Sequence, residues 1–171
     1  GGTNTDYLLN NKVKIWDGNS SREFLDSRGL YDYREGELGP IYGYQWRNWN
    51  KEYVNESNLM RDLKYKDGID QLQNIIDSLN DENRRYSRRL IMTAWNPEQL
   101  EEMALPPCHV LCQFHVTGKD ELSCSLYQRS GDVGLGIPFN IASYSFLTHL
   151  LADESASFPS SIIDFKAQSQ K

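Results

Sequence analysis

The chain has too few cysteines to be held together by disulfides. There are three, at positions 108, 112 and 124, an odd number that makes no paired framework and fits a reducing, cytoplasmic compartment better than an oxidising one. Long hydrophobic runs are missing as well. No stretch approaches the ~18 apolar residues of a membrane helix and no signal-peptide pattern opens the chain, whose first residue is not methionine, as in a processed or partial product. Positive charge is not in excess. A net charge of −6 argues against bulk binding of duplex nucleic acid and leaves any anion site to a local arginine cluster. The histidines at 109, 115 and 149 lack metal-ligand spacing, and no internal repeat is present.

What remains suits one folded domain. At 171 residues the chain is long enough to bury a core, and 12% aromatic residues argue against disorder. Thr3 or Asn4 is placed to cap a short first helix, Val13 to Asp17 reads as a short strand or loop entry, and Ser20 to Gly29 as helical around Phe24 and Leu25. Three glycines and a proline between Gly36 and Gly43 predict a shaped loop. Residues 50 to 67 are polar and aperiodic, as in a surface insertion. Ile69, Leu72, Ile75, Ile76 and Leu79 then mark one face of a helix. Leu90 to Trp95 reads as a buried strand stopped by Asn96-Pro97, followed by a short helix or turn from Glu98 to Met103. A last apolar helix is expected over about Ile141 to Leu151, and beyond Asp153 the composition turns to a polar tail with a small apolar island at Ile162, Ile163 and Phe165.

The chemistry concentrates after Met103. His109 to Thr117 and Glu121 to Gln128 alternate between apolar and polar, with Gly118-Lys-Asp as a turn signal, and so predict a hairpin. Cys108 and Arg129 stand at its open end, where they come close. A fixed cation beside a thiol lowers the thiol pKa and populates the nucleophilic thiolate. Cys112 and Cys124 lie inside the alternating runs and read as small buried hydrophobes. Cys108-His109 also admits a thiol hydrolase with His109 as base. Neighbours on a regular strand point to opposite faces, however, which turns His109 away from the sulfur. Arg84, Arg85, Arg88 and Arg89 make either a solvated basic turn or, where Arg88-Arg89 abuts the strand, a phosphate-binding pair. Asn140, just before the last helix, is ordinarily an N-cap.

Ala104-Leu-Pro-Pro-Cys-His109, Leu126-Tyr-Gln-Arg-Ser-Gly-Asp132 and Pro138-Phe-Asn-Ile-Ala-Ser-Tyr144 closely resemble the thymidylate synthase family, and Ser21 to Leu30 resembles its eukaryotic-type members. The resemblance runs from about Gly2 to Ala152, making residues 1–152 the family's central catalytic portion and 153–171 a divergent tail. It implies an α+β fold with a mixed sheet, one face of which forms a homodimer interface. It implies reductive methylation of dUMP to dTMP with 5,10-methylenetetrahydrofolate as carbon donor and reductant, and no metal.

By this resemblance Cys108 is the nucleophile that adds to pyrimidine C6, with Tyr42 nearby. Arg129 binds the nucleotide phosphate, and Arg88 and Arg89 reach the phosphate in the partner subunit's site. Gln128, Ser130, Gly131 and Asp132 surround the nucleotide. Asn140 reads the uracil edge, since an amide both donates to O4 and accepts from N3–H. Ile15, Trp16, Leu105, Asp132, Leu135, Gly136 and Phe139 line the folate pocket, although Trp16 and Phe139 also fit plain core packing. The family's phosphate-binding arginine and proton-transfer glutamate of the N-terminal segment, and its later His-x-Tyr pair, have no counterpart within these residues. A catalytically incompetent nucleotide- or partner-binding module is therefore the alternative.

Overall fold

A computed structural model describes residues 2–55, 67–118 and 121–155. The central part of the expected insertion, Lys119 and Asp120 of the hairpin turn and the tail from 156 onward lie outside the described residues. The contacts divide the chain into two compact units, one of residues 1–70 and 94–107, the other of residues 71–93 and 108–171. Among the described residues no helix is long and apolar enough to cross a membrane.

The first unit is built of short helices and shaped loops. Helices α1 (Asp6–Asn10), α2 (Arg22–Ser27) and α3 (Tyr42–Arg47) each span only one or two turns. Helices so short are marginal alone and depend on packing. The N-cap of α1 is Thr5, not Thr3 or Asn4, and its side chain makes no capping bond, although Asn4 Oδ1 accepts from Asp6 N at 3.3 Å; α2 is capped by Ser21, whose Oγ accepts from Phe24 N at 3.3 Å. Val13 to Asp17 forms loop and turn, not a strand. The core gathers Leu25, Tyr33, Leu38, Ile41, Tyr53, Met103 and Ala104. Its polar members are bonded inside it, Tyr33 donating to Glu102 O at 2.6 Å and Tyr53 to Glu37 Oε1 at 2.8 Å. Gly39 is required here. Its φ of +76° lies in the left-handed region, and a Cβ would drive into the Glu102 carbonyl oxygen. Trp49 and Ile69 form an isolated antiparallel bridge, in which Trp49 N donates to Ile69 O at 3.0 Å and Ile69 N to Trp49 O at 2.9 Å. The 3₁₀ turn Pro97–Glu102 is capped by Asn96, whose Oδ1 accepts from Glu98 N at 3.2 Å.

The second unit contains α4 (Gln71–Leu79), β1 (Ile91–Thr93), β2 (His109–Val116), β3 (Leu122–Gln128) and α5 (Gly136–Glu154). The strands run in the order β1-β2-β3, and both pairings are antiparallel. Helices together with this sheet agree with the α+β class that the family resemblance implies, and among the described residues both strand pairings are antiparallel. Alternation does its expected work in the hairpin: Cys112, Phe114, Val116, Leu122, Cys124 and Leu126 are buried. Helix α4 packs along β1 and α5 along β3. Ile91, Leu111 and Tyr127 are exposed on the sheet, with Leu111 paired to Tyr127.

Helix α5 begins five residues before the expected start. Gly136 and Pro138 look like breakers, but Pro138 falls in the first turn, where its missing N–H is not needed. Asn140 is thus inside the helix and is not its N-cap.

Candidate active site

The hairpin's open end brings the two central residues together. Arg129 N donates to Cys108 O at 3.0 Å, so the strand carrying the thiol and the strand delivering the arginine are tied at that point. Pro107 is fully buried and Cys108 half-buried, at the entry to β2, while Arg129 and Ser130 are exposed at the exit of β3. A half-exposed thiol on a fixed backbone beside an exposed arginine suits a nucleophile that meets an anionic ligand.

Gln128 is the most informative neighbour. It is only 3% exposed, and neither Nε2 nor Oε1 of its amide has a hydrogen-bond partner. A buried polar group without partners costs roughly 1–3 kcal/mol. Gln128 occupies the last inward slot of β3, after Leu122, Cys124 and Leu126. A polar residue in an apolar series is a signal the alternation itself contains. Its amide can donate and accept at once, which suits a polar ring or sugar.

His109 sits beside an irregularity in β2. A β-bulge between His109 and Leu111 shifts the register, so that His109 lies opposite the inward-facing Gln128. A bulge re-aims the side chain next to it. The His109 ring meets Tyr144 edge-on at 5.3 Å, and its side chain hydrogen-bonds Asn140. Burial pushes the imidazole below its usual range, and the bond to Asn140 opposes this. The bond engages the Asn140 amide and fixes its orientation. Residue patterning does not reveal this partnership, because a bulge leaves no trace in the alternation.

The loop after β3 is shaped by Asp132. Its Oδ1 accepts from Leu135 N at 2.7 Å and its carbonyl accepts from Ile137 N at 2.8 Å, leading the chain into α5. Gly131 lies against Ile137 and within reach of the Gln128 amide. Leu135 and Phe139 are exposed, Phe139 by 60%, so Phe139 is not a core residue of this unit. Gly136 lies beside Asp132 and Asn140. Arg88 and Arg89 are exposed ahead of β1, where Arg88 O accepts from Gln113 Nε2 at 2.9 Å.

The remaining expected residues belong to the first unit. Trp16 and Tyr42 meet edge to face at 6.2 Å, beside the exposed Ile15. Tyr42 has a φ of +27°, which is strained for an aromatic residue, and such strain clusters at functional sites. Leu105 is half-buried directly after the buried Met103 and Ala104.

The family model for thymidylate synthase matches residues 1–167. The chain belongs to the thymidylate synthase family. Thymidylate synthase of Homo sapiens is 54% identical over 155 residues, which are 89% of this chain and 46% of the human protein. That of Human herpesvirus 8 type P is 54% identical over 164 residues, 95% of this chain and 46% of the viral protein. A probable thymidylate synthase of Schizosaccharomyces pombe is 53% identical over 159 residues, 89% of this chain and 24% of that protein. The chain thus spans half or less of the length of these curated relatives.

Proposed function

We propose that this chain carries the nucleophile-bearing part of a thymidylate synthase active site and methylates dUMP to dTMP. The observation that carries the reading is the unpartnered, buried amide of Gln128 beside the Cys108–Arg129 junction. An amide kept dry and unpaired, one residue before Arg129, whose N–H donates to Cys108 O, is explained by a ligand that completes it.

Each residue has a distinct task. Arg129, with Arg88 and Arg89 contributed from a second copy, holds the 5′-phosphate by bidentate bonds. The Cys108 thiolate adds to C6 of the uracil, and C5 becomes an enolate-type carbon nucleophile. Asn140, held by His109, donates to O4 and accepts from N3–H. Cytosine reverses both polarities and is rejected. Gln128, Ser130 and Gly131 close around the nucleotide, and Tyr42 stands near the reacting carbon. Ile15, Trp16, Leu105, Asp132, Leu135, Gly136 and Phe139 receive 5,10-methylenetetrahydrofolate, for which exposed apolar side chains are suitable. That co-substrate supplies the one-carbon unit and the hydride that reduces it, and leaves as dihydrofolate. After C5 loses its proton and the methyl group is complete, the C6–S bond breaks and Cys108 is restored as thiolate.

The exposed apolar side chains Ile91, Leu111 and Tyr127 mark the sheet face that a second copy covers in a homodimer. A cytoplasmic, reducing compartment suits a reaction that depends on a free thiol. Equilibrium binding tests the substrate assignment. dUMP should bind at least about tenfold more tightly than dCMP or deoxyuridine, each mismatch removing on the order of 1.4 kcal/mol or more. Equal binding of all three contradicts the roles of Asn140 and the arginines. Selective dUMP binding without turnover assigns the chain the nucleotide-binding role alone.

A further inference from the structure

The first unit holds a cavity of about 240 Å³ whose lining residues have no task in the proposed reaction. Thr3, Asn4, Arg34, Glu37, Tyr53 and Val54 are among them. Backbone pairing fixes one wall. Asn4 lies opposite Glu37 in an antiparallel bridge, with Thr5 N donating to Gly36 O at 2.8 Å and Leu38 N to Thr3 O at 2.7 Å. Gly36 permits this approach, since its φ is +90° and a Cβ there would stand 2.8 Å from Thr5 Oγ1.

The cavity carries fixed charge of both signs. Glu37 is 6% exposed, a carboxylate nearly out of water. One of its oxygens accepts from the Tyr53 hydroxyl at 2.8 Å and the other from Arg34 N at 3.1 Å. Burial foremost pushes the Tyr53 phenol far above its ordinary value, so it stays a donor, and Thr3 hydrogen-bonds the same hydroxyl. Two bonds fill about half of the lone-pair positions of a carboxylate. A buried anion with acceptor capacity left suits a cationic donor. The Arg34 guanidinium pairs with Asp6 at 2.7 Å, their side chains 45% and 51% exposed. Exposed pairs of this kind contribute little and exchange readily. Asn4 uses its Oδ1 to accept from Asp6 N, and its Nδ2 group makes no hydrogen bond among the described residues.

We propose that this cavity binds a small zwitterion of the α-amino-acid class. The ammonium group of the ligand meets Glu37. Its carboxylate takes the place of Asp6 on Arg34, with Asn4 Nδ2 as a second donor. An anion alone would face the buried carboxylate, and a cation alone the guanidinium; a ligand carrying both charges satisfies both. The side chain is limited to a few carbons lying along Val54, because the cavity is smaller than the ~300 Å³ at which ligand pockets usually begin.

Titration of isotope-labelled protein with L-alanine, followed by NMR, tests this directly. The backbone amide signals of Asn4, Gly36 and Glu37 should shift and saturate. Propionate and ethylamine, the two halves of the ligand, should each bind at least about tenfold more weakly. Asp6→Asn removes the competitor for Arg34 and should tighten alanine binding several-fold, whereas Arg34→Gln should weaken alanine to the level of ethylamine. The ligand series probes the ammonium contact without altering the buried Glu37, so no variant at that position has to fold. Propionate or ethylamine binding as tightly as alanine, an Asp6→Asn variant with unchanged affinity, or no shift at these amides with any of the three ligands overturns the inference.

Discussion

The two units treat buried polar groups in opposite ways. In the first, Gln45 Nε2 donates to Pro40 O at 2.8 Å and to Gln99 Oε1 at 2.9 Å, and Asn96 Nδ2 donates to Gln45 Oε1 at 3.1 Å. Tyr33, Tyr44 and Tyr53 likewise direct their hydroxyls to carbonyl or carboxylate oxygens. Burial foremost pushes the Tyr44 phenol up to about 12 and keeps it a neutral donor. Among the described residues of that unit, the only buried side-chain polar atoms left unpaired are the Nε atoms of Arg22 and Arg28. In the second unit the whole Gln128 amide is unpaired. The first network is consumed in making loops and short helices stand. The amide of the second is held in reserve beside a thiol, and the difference separates polar groups that build from polar groups that bind.

The largest effect should come where neither kind of polar group is involved. Phe114 is fully buried on the hairpin, and Phe114→Ala should cost about 3–5 kcal/mol in chemical denaturation. A cost below about 1 kcal/mol would mean that the hairpin does not rest on this core. Next comes Gln45→Leu, which removes the bonds that Gln45 makes with Pro40 O, Gln99 Oε1 and Asn96 Nδ2. It should destabilise the protein by about 2–3 kcal/mol. The same substitution at position 128 should do the reverse. Gln128→Leu removes an amide with nothing to lose and should leave stability unchanged or raise it by about 1–2 kcal/mol, while weakening dUMP binding by about tenfold or more. If both glutamines behave alike, the comparison fails.

The hairpin and the meeting of Cys108 with Arg129 were legible in the sequence because alternation and a turn determine which ends are neighbours. The start of α5 was not, since Gly136 and Pro138 break helices in most positions and Pro138 is tolerated only in the first turn. Asn140 looked like a cap for the same reason. The bulge after His109 and its pairing with Gln128 leave no mark in the alternation, and Tyr42 gave no warning because a positive φ in an aromatic residue is set by its surroundings. Gln128 was readable from the pattern alone, as the polar member of an inward apolar series.

The smallest expected effect is a pH dependence from His109. Its pKa in the folded chain lies below the ordinary value, so the unfolded chain binds the proton more readily. The associated stability is fully present above about 6.5, the ordinary histidine value, and is lost as pH falls through the lower folded value. Thermal unfolding followed from neutral to mildly acid pH should show this decline, and His109→Gln should flatten it. An unchanged slope in that variant would place the titrating group elsewhere.

The most direct test of the central claim is the intact mass of the chain after incubation with 5-fluoro-dUMP and 5,10-methylenetetrahydrofolate. The C5 fluorine cannot leave as a proton does, so a working nucleophile is trapped with nucleotide and folate both attached. The account predicts a stable adduct carrying both ligands, absent from Cys108→Ser. Folded protein that acquires no adduct, or an adduct that persists in Cys108→Ser, would contradict it.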